Sequence, residues 1–367
     1  MQANLLQLRN FRNYQALDLS FDDGINVFVG ANAQGKTNIV EAIYYASLAK
    51  SHRTSTDSEL IAWQENRAAF KLSFTRLGVE NSLEFQFSRE KRRKISLNSE
   101  VIAPKNLIGT FNTVLFSPED LFLIKGAPLA RRKFLDAELS QASPAYFSEL
   151  RNYVKIVSQR NVLLKKIKER SADTAMLDLW DEQLVSSAVK LWKKRIFTVD
   201  KLNSIASIMQ KKISSSLENL AIKYEISTKN SSVTSDLASW YNKELRDCRR
   251  LDIMRGSTSV GPHHDDLIFT VNGIDLRSFG SQGQQRTGVL ALKLSELEFL
   301  RSETNEYPVL LLDDVMSELD SSRRAELIEF IRREKIQTFI TATEREYFPK
   351  NDFGTYYDVE QGRVKRR

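Results

Sequence analysis

GANAQGKT, residues 30–37, follows the apolar run INVFV (25–29) and precedes NIVEAIYYASLA (38–49). It fits G-x-x-x-x-G-K-[ST], and the order strand, Gly-containing loop, helix is the context that pattern requires. Gly30 and Gly35 let the backbone turn tightly and approach a ligand closely. The N–H groups along Ala31, Asn32, Ala33 and Gln34, together with the helix N-terminus, then form a cradle for phosphate. Lys36 is placed to reach β- and γ-phosphates, and Thr37 to offer its hydroxyl to Mg²⁺. ATP and Mg²⁺ are the expected cofactors.

A phosphate loop of this kind needs a carboxylate for the metal. PVLLLDDVMSELD (308–320) supplies an apolar strand that ends in Asp313 and Asp314. Two Asp after a strand are commonly a cap and a turn. Beside a phosphate loop they read as site residues, because ligands of α/β sheets sit at the carboxyl ends of the strands. Asp313 is the expected Mg²⁺ partner, and Asp314 the catalytic group that polarises a water.

Outward from these two segments the chain divides by period. LLQLRNF (5–11) alternates as a strand, and the stretch 68–102 reads as antiparallel strands turning near 77–81 and at the charged tip 89–94. From about Leu129 the pattern becomes helical. Trp180, Leu184, Ala188, Leu191, Trp192 and Ile196 recur at a spacing of three to four, with Ile205, Ile208 and Met209 continuing the stripe. The pattern does not persist as a heptad, which argues against a long coiled coil. RSADT (170–174) reads as a connection between helices. Strand patterns return at 221–228 and 267–276, the latter holding the hairpin dipeptide Asn272-Gly273. The end alternates helix 283–302, strand 307–312, helix 320–334 and strand 337–341, the mark of a parallel α/β sheet. The expected architecture is an α/β ATPase head, residues 1–124 and 221–367, with a phosphate-loop core sheet and an antiparallel β subdomain. A basic helical lobe is inserted at 125–220.

Composition narrows the function classes. With 41% hydrophobic residues in 367, the chain can bury a sizeable core. No stretch approaches the roughly 18 apolar residues of a membrane span, so no membrane partner is expected. The start MQANLLQLRN lacks the features of a signal peptide. One cysteine, Cys248, allows no internal disulfide, and a cytosolic location is the expectation. Net charge is +7, and residues 125–212 alone hold 18 Lys/Arg against 9 Asp/Glu. That bias suits a polyanionic partner, and equally a solvated helical face. The tip residues Arg92, Arg93 and Lys94, and Arg131, Arg132 and Lys133, are the DNA-contact candidates. Arg9, Arg12 and Arg53 flank the phosphate loop, either to touch a ligand or to pair with nearby acids. His263, His264, Asp265 and Asp266 include metal-ligand types, but four adjacent residues of one loop rarely converge on an ion.

SQGQQR (281–286) resembles the signature of ABC-class ATPases, with Gln282 in place of the first of two paired Gly. SELD (317–320) resembles the D-loop of that class. LLQLRNFRNY (5–14), GKTNIVEAIYYASLAKSHR (35–53), FSPEDLFLIKGAPLARRKFLD (116–136) and GPHHDDL (261–267) together make the chain similar to the bacterial RecF family of recombination and repair proteins. The resemblance implies an ABC/SMC-type head and a slow, DNA-stimulated ATPase that acts as a switch. In an ATP-dependent homodimer, Ser281, Gly283 and Gln284 of one subunit would bind the nucleotide held by the other. It also implies single-stranded, gapped or junction DNA as ligand, and RecO and RecR as partners in loading recombinase. Three features depart from the pattern. Thr343 stands where transporters of the ABC class carry His, His264 stands where Arg is expected, and FSPEDL occupies the region of the Q-loop without a Gln. A transporter ATPase subunit is the alternative the motifs allow. An SMC-like clamp would need far longer helical arms.

Overall fold

The computed structural model describes residues 1–213, 218–230, 232–348 and 353–367. Residues 214–217, within the stretch read as helix, lie outside the described residues. Two compact units result, one from 1–121 with 289–367 and the other from 122–288.

The first unit opens with β1 (Gln2–Phe11), β2 (Tyr14–Ser20), β3 (Ile25–Val29) and α1 (Lys36–Leu48). It continues with β4 (Arg67–Arg76), β5 (Val79–Ser88), β6 (Lys94–Leu97), β7 (Glu100–Val101) and β8 (Thr113–Phe116). Among the described residues, an antiparallel sheet has the order β2-β1-β4-β5-β6-β7. Its inward residues alternate as the sequence predicts, with Phe70, Phe85 and Phe87 facing Tyr45 of α1 at 5.3–5.9 Å between ring centroids.

The chain then enters the second unit through α2 (Leu121–Lys125), α3 (Pro128–Ala142), α4 (Pro144–Lys168) and α5 (Leu177–Ile213). Pro128 and Pro144 stand in the first turns of their helices, where a missing N–H costs nothing. β9 (Leu220–Glu225), α6 (Leu237–Arg255), β10 (Asp266–Val271), β11 (Ile274–Asp275) and α7 (Leu276–Phe279) follow. Asn272 and Gly273 both hold positive φ, as the tight hairpin between β10 and β11 requires.

This unit runs past the expected limit of 220. β9 pairs antiparallel with β10, Leu220 opposite Val271 and Glu225 opposite Asp266, so the segment to 288 joins the helices rather than the head. The apolar stripe of α5 also drifts from the expected positions. Leu184, Ala188, Leu191, Trp192 and Met209 are buried as expected, but Ile208 is exposed, and Leu202 and Ala206 take buried places toward the end of the helix.

α8 (Gln282–Thr304) leads back to the first unit, which ends with β12 (Val309–Asp313), α9 (Ser321–Arg333), β13 (Thr338–Ala342), β14 (Thr355–Glu360) and β15 (Arg363–Arg366). The second sheet has the order β15-β14-β3-β13-β12-β8, parallel except for β15. β12 and β13 are buried at every position, so β12 reads as a continuous apolar run up to Asp313 rather than an alternating one. The core that joins both sheets includes Ile39, Val40, Ile43 and Ala46 of α1. A helix apolar on several sides is buried on several sides, and α1 is fixed there by packing.

Candidate nucleotide-binding site

The loop of residues 30–35 connects β3 to α1 at the carboxyl end of the parallel sheet. A Cβ at Gly30 would lie 2.2 Å from the Val359 carbonyl oxygen, so only Gly lets β14 approach. Gly35 has φ +118°, and a Cβ there would meet Asn13 and Tyr14 side-chain atoms at 2.7 Å. Those neighbours brace the loop. Tyr14 OH donates to the Gly35 carbonyl at 3.1 Å, and Asn13 Nδ2 donates to that of Gln34 at 3.0 Å. From the other side, the Gln361 N–H donates to Gln34 Oε1 at 2.7 Å. Ala31, Asn32 and Ala33 remain exposed at the mouth.

Lys36 Nζ donates to the Gly30 and Ala31 carbonyls at 2.7 and 2.8 Å, which keeps the cation at that mouth. Burial lowers its pKa, and Asp314 and Asp313 oppose the shift. Thr37 Oγ1 donates to Asp313 Oδ1 at 2.9 Å, joining residues from opposite ends of the chain. Thr341 Oγ1, at the end of β13, donates to the same oxygen at 2.7 Å and accepts from the Asp314 N–H at 2.9 Å. Asp314 takes φ 57°, a left-handed conformation uncommon outside Gly and Asn/Asp. Burial raises its pKa, helped by the neighbouring charges of Asp313 and Glu318 and opposed by Lys36.

These residues fit a magnesium nucleotide. Residues 31–33 are exposed at the mouth, Lys36 stands beside it, and a hydroxyl and a carboxylate meet where P-loop proteins hold the metal. Lys36, Thr37 and Asp313 would hold the group, with the cradle of residues 31–35.

The expected signature forms the start of α8. Ser281 Oγ accepts from the Gln284 N–H at 3.2 Å, and Gln284 Oε1 accepts from the Ser281 N–H at 3.0 Å. This is a reciprocal capping box. Ser281 and Gln282 are exposed, and Gly283 and Gln284 are half-buried. Gln285 is buried and donates from Nε2 to the Leu276 carbonyl at 3.0 Å. The SELD segment ends in Asp320, which caps α9 by accepting from the Arg323 N–H at 2.9 Å.

A family model described as RecF/RecN/SMC N terminal domain matches residues 3–364. A DNA replication and repair protein RecF of Halothermothrix orenii is 43% identical, with 100% of this chain and 99% of that protein covered. The chain belongs to the RecF family. The RecF of Bacillus cereus (strain AH820) is 45% identical over 92% of this chain and 91% of its own length. A solved RecF–ATP structure, described as that of the recombination mediator protein in the RecFOR pathway, is 36% identical, with a TM-score of 0.91 over 100% of this chain and 97% of that one. An Smc head bound to the C-winged helix domain of ScpA shares the fold at a TM-score of 0.57, 16% identity, 100% coverage of this chain and 96% of that one. The ABC/SMC-type head expected from the motifs is the fold of this RecF-family chain.

Other expected site residues of this RecF-family chain separate by environment. Arg12 pairs with Glu41 through two bonds of 2.6 and 2.8 Å, Arg9 with Asp18 at 2.9 Å, and Arg53 approaches Glu41 at 3.7 Å. All three therefore face acids. Arg93 turns inward, its Nη1 donating to the Ala49 carbonyl at 2.8 Å and to Tyr45 OH at 2.6 Å. Arg131 is buried with a two-pronged bond to Asp266 at 2.6 and 2.8 Å, which leaves no face for a DNA phosphate. Arg132 donates to the Asp265 carbonyl at 2.7 Å and is half-buried. Arg92, Lys94 and Lys133 are exposed.

The basic surplus of residues 125–212 is thus partly internal. Arg160 binds Asp181 and Asp252, each at 2.7 Å, and Arg195 binds Asp136 at 2.7 Å. The GPHHDDL segment sits among these pairs. Asp265 accepts from Trp192 Nε1 at 2.6 Å and from Tyr224 OH at 2.5 Å, while the Pro262 carbonyl accepts from Arg195 at 2.6 Å. His263 contacts Tyr153 OH at 2.5 Å, and burial pushes its pKa down to about 3. His263 and His264 both reach the Thr258 carbonyl, Asp265 and Asp266 go to Trp192, Tyr224 and Arg131, and no metal-ligand cluster forms among the described residues. Cys248 is buried and accepts from Asn230 Nδ2 at 3.1 Å. No helix among the described residues is long and apolar enough to cross a membrane.

Sequence reasoning missed His52 and Thr341. His52 Nε2 lies 3.9 Å from Asp313 Oδ2, and neither ring nitrogen has a hydrogen-bond partner among the described residues. Its ring meets Tyr44 edge-on, and burial lowers its pKa. The only available signal was SHR at 51–53, already part of a resemblance block. FSPEDL follows β8, the strand beside β12. There Asp120 meets Lys293 of α8 at 3.2 Å, and Lys293 also meets Glu296 at 3.1 Å.

Proposed function

We propose that this chain is an ATP-gated DNA-binding protein of recombinational repair that works as a dimer. The observation that carries this reading is the Thr37–Asp313 bond of 2.9 Å at the end of the parallel sheet, with Lys36 beside it. It builds a nucleotide site from distant segments, whereas the signature residues Ser281 and Gln282 stand exposed at another helix start. A helix N-terminus attracts anions, so an exposed one with a short hydroxyl side chain suits a partner's phosphate.

In this reading the N–H groups of 31–35 and Lys36 Nζ bind phosphate oxygens, and Thr37 and Asp313 hold Mg²⁺. Asp314 accepts a proton on its carboxylate from an attacking water, a role suited by its raised pKa. Bound ATP would supply a phosphoanhydride whose hydrolysis resets the switch. Ser281, Gly283 and Gln284 of the second subunit close the site, and closure aligns exposed cations such as Arg92 and Lys94 toward gapped or single-stranded DNA. Weak, DNA-stimulated turnover fits a switch of this kind. The RecFOR description of the ATP-bound relative supports RecO and RecR as partners in loading recombinase. Cytoplasmic DNA is the expected setting.

Retention on a gapped duplex, followed by fluorescence anisotropy with ATP and with ADP, tests the gating. The native chain should hold DNA more tightly with ATP, and Lys36→Ala should lose that gain. Equal ATP-dependent retention by Lys36→Ala would overturn the reading.

A further inference from the structure

Trp63 is 94% exposed, the most exposed large apolar side chain among the described residues. A lone exposed apolar residue is ordinary, but an indole pairs a large apolar face with little conformational freedom, which suits stacking when it is held in place. The turn that carries it is well anchored. The Ala62 N–H donates to the Asn10 carbonyl at 2.8 Å, and the Glu65 N–H to the Ala62 carbonyl at 3.1 Å. The Arg89 N–H donates to the Asn66 carbonyl at 3.2 Å, and Arg89 Nε to the Glu65 carbonyl at 2.9 Å. Trp63 is thereby tied to the first residue of the charged tip between β5 and β6.

That tip exposes Arg89, Lys91, Arg92 and Lys94 against the acids Glu65 and Glu90. Register places Lys94 opposite Gln86 and Arg67 opposite Ser88, so these cations collect at the end of the sheet where the turn of Trp63 enters β4. Arg93 fixes the tip to the last turn of α1 through the Ala49 carbonyl at 2.8 Å. The same helix begins with Lys36 and Thr37. An aromatic face held on an ordered turn next to phosphate-binding cations is the combination that receives unstacked bases of a single strand.

We propose that Trp63 is a stacking platform for an unpaired base of single-stranded DNA, with the tip cations binding the adjoining phosphates. This rests on the DNA-binding reading above and adds to it a site for the single strand.

The test uses the full chain with ATP, an oligo(dT) strand and a blunt duplex of equal length. Trp63→Ala should weaken binding of the single strand about tenfold, the scale of one lost base stack, and leave the duplex unchanged. Trp63→Phe should restore most of the affinity. Lys91→Glu with Arg92→Glu should weaken both ligands and flatten the salt dependence. Quenching of tryptophan emission by oligo(dT) should largely disappear in Trp63→Phe. If the native chain binds the strand and Trp63→Ala binds it equally well, the indole serves a protein contact and this inference fails alone. If the native chain binds neither DNA, the DNA-binding reading fails with it.

Discussion

Asp313 ends β12 with its carboxylate bonded to Thr37 and Thr341, whereas Asp314 leaves the strand at φ 57°. The first carboxylate accepts from two hydroxyls and is the one proposed to bind Mg²⁺. The second carboxylate is half-buried beside like charge, and burial and that charge raise its pKa. Asp314→Asn would remove the proposed proton acceptor and keep the shape. Phosphate release should fall at least about 100-fold, the scale of a lost general base. Nucleotide titration should give the same affinity as the native chain. Undiminished turnover would assign the water to another group, and His52 would be the first to examine. The paired Asp were legible because a strand, two acids and a phosphate loop form a local pattern. His52 was not, because only the folded chain brings the 51–53 segment to within 3.9 Å of Asp313.

Helix α1 is the element on which the site depends, and its grip is ionic as well as apolar. Glu41 is fully buried at its middle, bonded to Arg12 at 2.6 and 2.8 Å and to Ser51 at 2.5 Å. Burial alone would raise the Glu41 pKa, but Arg12, Ser51 and Arg53 more than offset it, and the carboxyl titrates below its ordinary value. The folded state thus binds fewer protons than the unfolded one in acid. The stability this group contributes is complete above about pH 4.5 and lost as pH falls through the folded pKa. Arg12→Ala would strand the buried carboxylate and should cost about 3 kcal/mol by urea unfolding at neutral pH. The penalty should shrink at lower pH, where Glu41 takes a proton. A pH-independent penalty would contradict the ionic account. Most elements were legible, since α1, β3, α9 and β13 follow strong periods and lie within a residue or so of expectation. The partner of β9 was not. Its pairing with β10 spans the α6 helix, and no local pattern in 221–228 distinguishes a head strand from a lobe strand.

At the scale of the molecule, the phosphate loop and both acids lie in the unit of 1–121 and 289–367, whereas Ser281 and Gly283 lie in that of 122–288. The Ser281–Gln284 capping box already satisfies the start of α8 in the single chain, so its exposed hydroxyl serves no internal need beyond the cap. In the proposed dimer this surface completes the nucleotide site of a second subunit. Light scattering of Ser281→Arg with and without ATP, beside a nucleotide titration, tests it most directly. The native chain should pass from monomer to dimer on adding ATP. Ser281→Arg should bind ATP as tightly and remain a monomer. A Ser281→Arg chain that still dimerises with ATP would contradict the account.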